Sequence, residues 1–536
     1  MIRTRSAAAV AILCLPFLAP GRAAAQGLER PTLELSLDEA VERALKNNAN
    51  LLVERFQPAL SAEDVNAASG YYDPLLTARL DRASRTDPAR NAFTGGAKVT
   101  NQFWDYNFGA SQLFKTGGTL SVDFVNSKTN TNSVFSTFNP TYNSSLSVGL
   151  TQPLLKNFKI DYARQQIRLA KKNAEISDVR FRQTVIATVA SVKQSYYDLI
   201  YAIDNLATAR KSLSLAQKLL DENQIRVRVG TMAPLDVVSA KSEVASREGD
   251  VITAENQLVD AEDTLKRAIF PANDPATWAL RIIPKERPSA EPYPVNLDAA
   301  ILQAIEKRTD VAVARKGLEQ NDFSLQYYRN QLLPQLDLVA GYGGTGIGGT
   351  GLVRNPAFGG PVVQTIPGGY GDATSSVFGA DFPTWRVGFN VTYPILNRGA
   401  KAGAAQAQLA KEQAEASFRR LQLQVAAEVR SAGRAVETNF KLVQATGAAR
   451  VLAEQRLDAE EKKFAAGMST NYFVTQAQRD LAVAAVNEIR SIANYRKSVI
   501  NFERSQESGI SGSGGSVQIT SGGGSGGGGG SAGGSN

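Results

Sequence analysis

Residues 384–396 read TWRVGFNVTYPIL, and every second one from Trp385 is large and apolar: Trp385, Val387, Phe389, Val391 and Tyr393. Those between them, Arg386, Gly388, Asn390 and Thr392, are polar or small. A period of two marks a strand with one apolar and one wet face. Trp385 and Tyr393 stand roughly 26 Å apart along a strand rising about 3.3 Å per residue. Tilted in a barrel wall, that length nearly spans the apolar band of an outer-membrane barrel and puts an aromatic at each edge. A soluble sheet packed on a core has the same alternation, so the rest of the chain must decide which solvent the apolar face meets.

The first residues, MIRTRSAAAVAILCLPFLAPGRAAAQ, combine Arg3 and Arg5, an apolar run over 8–19 and small residues before Gln26. They predict a secretory signal peptide over 1–25. The run is too short for a membrane anchor, and Leu13 before Cys14 does not fit a lipoprotein signal. Cys14 is the only cysteine and the 536 residues contain no histidine. A mature chain without either excludes the usual zinc site, the Ser-His-Asp triad and a cysteine nucleophile. No catalytic residue, metal ligand or cofactor site is expected, and the chain reads as a non-enzyme.

The formal charge of +8 includes Arg3, Arg5 and Arg22 of the leader. Elsewhere the charges interleave, as in SAKSEVASREGDVITAENQLVDAEDTLKRA (239–268). That pattern predicts a solvated helix face rather than a nucleic-acid patch. No mature segment is apolar for long enough to make a transmembrane helix. An exported chain of this kind is periplasmic, secreted or set in the outer membrane.

One plan is written twice. LSLDEAVERALKNNANLLV (35–53) aligns without gaps on VNLDAAILQAIEKRTDVAV (295–313), matching Leu37, Asp38, Ala40 and Ala44 to Leu297, Asp298, Ala300 and Ala304. LSVGLTQPLLKN (146–157) aligns on VGFNVTYPILNR (387–398), and RVRVGTMAPLDVVSAKSEV (226–244) on KFAAGMSTNYFVTQAQRDL (463–481). Each copy predicts helix, strands, a very long helix, a glycine tip and a return helix. The first long helix, roughly 160–229, carries Val185, Val189, Val192, Tyr196, Leu199, Ile203 and Leu206 in alternating steps of four and three, a coiled-coil seam. The second is expected at about 400–466. The expected divisions are a signal peptide (1–25), a first repeat (26–294), a second repeat (295–505) and a disordered Gly/Ser-rich tail (506–536). Segment 271–296 is Pro-rich and predicts an irregular join.

These features together resemble the TolC-type outer-membrane efflux family over nearly the whole mature chain. The resemblance rests on LSLDEAVERALKNN and its second copy, the TQPLL and TYPIL strand ends, and the two hairpin tips. It implies a mainly helical fold with membrane β-structure. In a homotrimer, strands would close one β-barrel in the outer membrane, and long helical hairpins would close a tunnel across the periplasm. It also implies a periplasmic adaptor and an inner-membrane transporter as partners, outer-membrane lipid around the barrel, and no nucleic acid. The function implied is a passive duct for small molecules or proteins. The alternative is a periplasmic or surface coiled-coil spacer without a lumen.

Val229, Gly230, Thr231, Ala466, Gly467 and Met468 are the candidate adaptor contacts, and any helical hairpin also needs such glycines as caps. Asp236, Phe473 and Gln476 are candidates for the periplasmic gate. Asp236 equally suits a helix start. Phe473 and Gln476 stand where similar proteins often place aspartates, which points to an apolar or amide-lined gate. Trp385, Val387, Phe389, Val391 and Tyr393 are expected to face lipid.

The first copy is long between Pro74 and LSVGLTQP. There QFWDYNFGAS and GTLSVDFVN alternate around KTGG (115–118), and the flanks near 83–100 and 128–143 are polar. This predicts long outer loops and an extra strand pair: six strands per chain and eighteen per trimer. The alternative is the family's usual four and twelve, with the added hairpin outside the wall.

Overall fold

A computed structural model describes residues 31–88, 97–271, 274–355 and 360–507. The expected signal peptide and the tail from 508 onward lie outside these residues. The chain begins with strand β1 (Thr32–Leu35) and helices α1 (Leu37–Asn47), α2 (Ala49–Glu54) and α3 (Phe56–Ser69). The Ser36 hydroxyl accepts from the Glu39 N–H, and the Glu39 carboxylate accepts from the Ser36 N–H. This capping box fixes where α1 starts. Four strands follow: β2 (Leu75–Pro88), β3 (Lys98–Leu113), β4 (Thr119–Thr131) and β5 (Phe138–Pro153). Then come α4 (Tyr162–Arg228) and its return helix α5 (Pro234–Ile269). At 67 residues, α4 is about 100 Å long.

The connector holds α6 (Pro275–Ala279) and β6 (Arg281–Pro284). It is more regular than its prolines suggest, because β6 pairs parallel with β1. Each strand has four residues, too few for a periodic signal, and each sends a side chain into one core, Leu35 and Ile282. The second half continues with α7 (Leu297–Lys307), α8 (Thr309–Asn330), β7 (Gln335–Arg354), β8 (Val362–Ile366), α9 (Tyr370–Phe378) and β9 (Pro383–Thr392). It ends in α10 (Arg398–Ala465) and α11 (Asn471–Gln506), 68 and 36 residues long.

The seam residues of α4 are buried, with Ile203 half-buried. Ala40 and Ala44 share the core of Val192, Tyr196 and Leu199, while Ala300 and Ala304 share that of Val425 and Val429. Small side chains let the short helices lie close to the long ones. Helix α11 also meets α4 across the halves, through Gln194–Asn501 at 2.9 Å and Lys497–Asp198 at 2.6 Å.

Tyr196 is fully buried and donates its hydroxyl to the Leu35 carbonyl at 3.0 Å, tying the long helix to β1. Burial pushes its pKa up to about 12. A raised phenol pKa contributes stability that is complete below pH 10 and is lost as pH rises through 12. The melting temperature is therefore expected to fall more steeply between pH 10 and 12 in the wild type than in Tyr196→Phe. At neutral pH that variant should lose about 1 kcal/mol.

The sheet runs β2-β3-β4-β5-β7-β9, every neighbour antiparallel, with β8 on the far half of β7. The added pair lies within this sheet. In the polar flanks, 83–88, 98–100, 128–131 and 138–143 are strand, because β2–β5 extend past the apolar rows, so the β4–β5 connection is shorter than the flank suggests; 89–96, between β2 and β3, lie outside the described residues. Tyr393 lies one residue past the strand expected to carry it, and is exposed. Strand β9 stops at Thr392, just before Tyr393-Pro394, where the proline restricts the preceding residue and supplies no N–H.

Candidate functional site

The wall has two unlike faces. Residues directly opposite in a sheet share a face, and the pairing Trp104–Lys128, Phe108–Phe124, Leu146–Gly344 and Tyr342–Trp385 carries one face across all the strands. That face presents Leu76, Ala78 and Leu80 on β2, and Trp385, Val387, Phe389 and Val391 on β9. The other presents Arg79, Asp81, Asp105, Asp123, Asp337, Arg386 and many serines, threonines and glycines. The four expected β9 residues thus share one apolar face, and Arg386 and Asn390 lie on the opposite one.

The wall's orientation comes from the β3–β4 turn. Gly117 there adopts φ +84° and lies against Asn157, Asp161 and Arg164, where α4 begins. That end is therefore the helical end. At the far end α9 lies flat on the apolar face. Its Ala373 and Val377 are buried, and Tyr370 packs on Tyr106 and Tyr142 and donates to the Asn126 side-chain oxygen at 3.0 Å.

The tips form the second site. Gly230 and Gly467 have φ of +78° and +75°, the left-handed region that glycine enters without strain. Behind each, the next N–H reaches back five residues: Thr231 to Arg226 at 3.0 Å and Met468 to Lys463 at 2.9 Å. This is the same helix-ending motif twice. Val229, Thr231, Ala466 and Met468 are exposed around the glycines.

The first tip lies beside the second. Asn223 donates to Asn471 at 2.8 Å, and Arg226 donates to the Phe464 carbonyl at 3.0 Å and lies over its ring. Asp236 on α5 is half-exposed. Phe473 on α11 is exposed and edge-on to Tyr472. Gln476 donates to Asp480 at 2.8 Å, which also pairs with Arg456. Asp236 therefore stands on one return helix and Phe473 and Gln476 on the other, and among the described residues no hydrogen bond joins them.

What joins the return helices is Glu243. It is 5% exposed and accepts from Arg247 on its own helix and from Arg479 on α11. This corrects the reading of 239–268 as a uniformly solvated face, since Glu262 and Lys266 are buried too. A signal for Glu243 exists in the sequence. Ala240, Glu243, Arg247 and Ala254 follow the seam spacing, and Ala240 and Ala254 are buried with Glu243.

Burial pushes the Glu243 carboxyl up, but the hydrogen bonds from Arg479 and Arg247 outweigh it and hold it below its ordinary range. Its stabilisation is therefore complete above the unfolded carboxyl pKa and is lost as pH falls through the lowered folded value. Glu243→Gln is expected to cost about 2 kcal/mol at pH 7. It should also flatten the acid-induced rise in hydrogen exchange over 235–250.

The chain also has relatives. The family model described as outer membrane efflux protein matches residues 40–269 and 300–505. Outer membrane protein TolC of Escherichia coli (strain K12) is 26% identical over 366 residues, which cover 67% of this chain and 68% of that protein. Among solved structures, a membrane protein from Pseudomonas aeruginosa superposes with a TM-score of 0.63 at 18% identity, over 88% of this chain and 93% of that one. The outer-membrane channel OprN gives 0.63 at 14% identity, over 88% and 90%. The Campylobacter jejuni CmeC outer membrane channel gives 0.61 at 15%, over 88% and 86%. Structural likeness at these identities shows a common fold.

Proposed function

We propose, given that this chain belongs to the outer membrane efflux protein family, that three copies close one passive duct from the periplasm to the exterior. The family's place is the outer membrane, with a helical tunnel in the periplasm. The observation that carries the reading is the two-faced wall. An apolar face with no charged residue from Leu76 to Leu80 on β2 or from Leu120 to Asn126 on β4 suits lipid, and the face rich in Asp, Arg, Ser and Thr suits a water-filled lumen.

One chain cannot close the wall. Strands β2 and β9 remain as edges, and six long strands fall short of the eight in the smallest membrane barrels. Three copies of six make an eighteen-stranded barrel, which removes the β2 and β9 edges. The helical part supports the same assembly, since Leu235, Val238 and Ile252 on α5 and Leu423, Leu442 and Leu452 on α10 are exposed in the single chain. We assign these apolar surfaces to contacts between neighbouring copies.

The chain is in this reading two copies of one plan, divided near residue 295. The tips around Gly230 and Gly467 meet a periplasmic adaptor joined to an inner-membrane transporter, which supplies the energy and selects the cargo. Asp236, Phe473 and Gln476 line the periplasmic mouth. Nothing in this duct calls for catalysis, and the two-faced wall speaks against a spacer without a lumen. A structure of the detergent-extracted assembly tests the reading. Three chains around eighteen wall strands are expected, and a monomer, or a wall of twelve strands with β3 and β4 outside it, would contradict it.

A further inference from the structure

We infer that the outward face of the wall carries a binding site for a lipid phosphate, built from Arg82, Trp104, Lys128 and Tyr142. The inference rests on the assignment of the apolar face to lipid. The four residues are consecutive cross-strand partners on β2, β3, β4 and β5, so they form one row on that face. Cation and ring alternate along it. The Arg82 guanidinium lies 5.3 Å from the Trp104 ring centroid, and the Lys128 ammonium lies 5.2 Å from Trp104 and 5.5 Å from Tyr142. The rings hold the cations in place. Among the described residues neither cation is in an ion pair. The aspartates of these strands, Asp81, Asp87, Asp105 and Asp123, are on the other face, and the acid at the end of the row is Asp372 of α9, which stands against Gly348, the partner of Tyr142, and accepts from the Gly369 N–H.

Height along the wall supplies the second argument. From Leu120, beside the helical end, to Lys128 is about 26 Å of strand, which in a wall tilted by about 40° rises roughly 20 Å, most of the apolar band of about 25 Å. The row therefore sits near the outer edge of the hydrocarbon, from which the long Arg82 and Lys128 side chains reach the level where aromatic girdles and anionic phosphates meet. Directly below it Leu80, Phe108 and, at the end of α9, Phe378 are exposed at 73%, 51% and 71%. Phe378 also lies against Phe124, so the helix forms one side of an apolar groove for acyl chains. Two bare cations above such a groove suit a phosphorylated lipid and would be costly to leave beside hydrocarbon. The rings and an outer-leaflet phosphate compensate them.

The test uses the full chain in phosphatidylcholine vesicles doped with lipid A, with lipid A plus millimolar inorganic phosphate, or with its dephosphorylated form. Lipids retained on extraction are counted by native mass spectrometry. The wild type should prefer phosphorylated over dephosphorylated lipid A by roughly 30-fold, the product of two surface cations acting on an anionic lipid. Arg82→Gln with Lys128→Gln should bring the ratio near one, while Arg79→Gln on the opposite face should leave it unchanged. A double variant that keeps the preference, a wild type without one, or displacement of the lipid by millimolar inorganic phosphate would overturn the inference. Resistance to alkaline extraction is scored on the same samples. A chain that washes off contradicts the lipid-facing wall and this site with it, whereas an inserted chain without the preference contradicts this site alone.

Discussion

Gly346→Val is expected to lift α9 off the sheet, the largest effect of any single substitution in the wall. A Cβ at Gly346 would stand 1.9 Å from the Ala373 carbonyl oxygen, and one at Gly348 would stand 2.3 Å from that of Gly369. Both obstacles are backbone, so no side-chain rotation relieves them and the cost exceeds the roughly 1–3 kcal/mol usual for overpacking. Once α9 leaves, Asn126 and Ser144, 0% and 2% exposed, lose their cover, and the Tyr370–Asn126 bond breaks. Protease cleavage within 367–382 and a lower melting temperature of the detergent-extracted protein are the expected readouts. Gly388→Ala in β9, where a Cβ would meet nothing within 4 Å, is the matched control and should change neither. A Gly346→Val protein with α9 still protected would contradict the docking described.

The second large effect is expected at the join between the helical hairpin and the connector. Lys266 and Glu262 lie 3.5 Å apart with side chains 2% and 7% exposed. Lys266 donates to the Trp278 carbonyl at 3.0 Å, and Glu262 accepts from the Ile282 N–H at 2.6 Å. The pair therefore pins both α6 and β6 to α5. Glu262→Leu leaves a buried ammonium without its counter-charge and should cost about 3–5 kcal/mol. Glu262→Leu combined with Lys266→Met removes both charges and should recover much of that loss. Denaturant unfolding of the four proteins in the cycle checks this. Simple additivity would show that the two side chains do not act as a pair.

The long helices were readable because a seam repeated over many turns leaves no competing period. Tyr162–Arg228 and Arg398–Ala465 stand within a few residues of the expected 160–229 and 400–466. The tip glycines were readable too, since only a left-handed turn requires glycine after a helix of this length. Other parts were hidden for physical reasons. Strands β1 and β6 are too short to show a period and gain their order from the core they share. The helix α9 lies in YGDATSSVF, whose short apolar pattern has meaning only beside the glycines of β7. Glu262 and Lys266 look like an ordinary surface i,i+4 pair because the sequence does not say that the connector folds back over them. The row from Arg82 to Tyr142 is invisible in sequence, since its members are spread over 60 residues and only strand register aligns them.

The central claim is that these chains enclose one continuous lumen. Single-channel recording of the extracted assembly in a planar bilayer, after its mass is measured, tests that most directly. Steady ionic openings are expected from a trimer. They should widen in Asp236→Ala and Phe473→Ala if those residues narrow the periplasmic mouth. A trimer that inserts yet stays silent in the wild type and in both variants would contradict the claim, as would a chain that remains in solution without detergent.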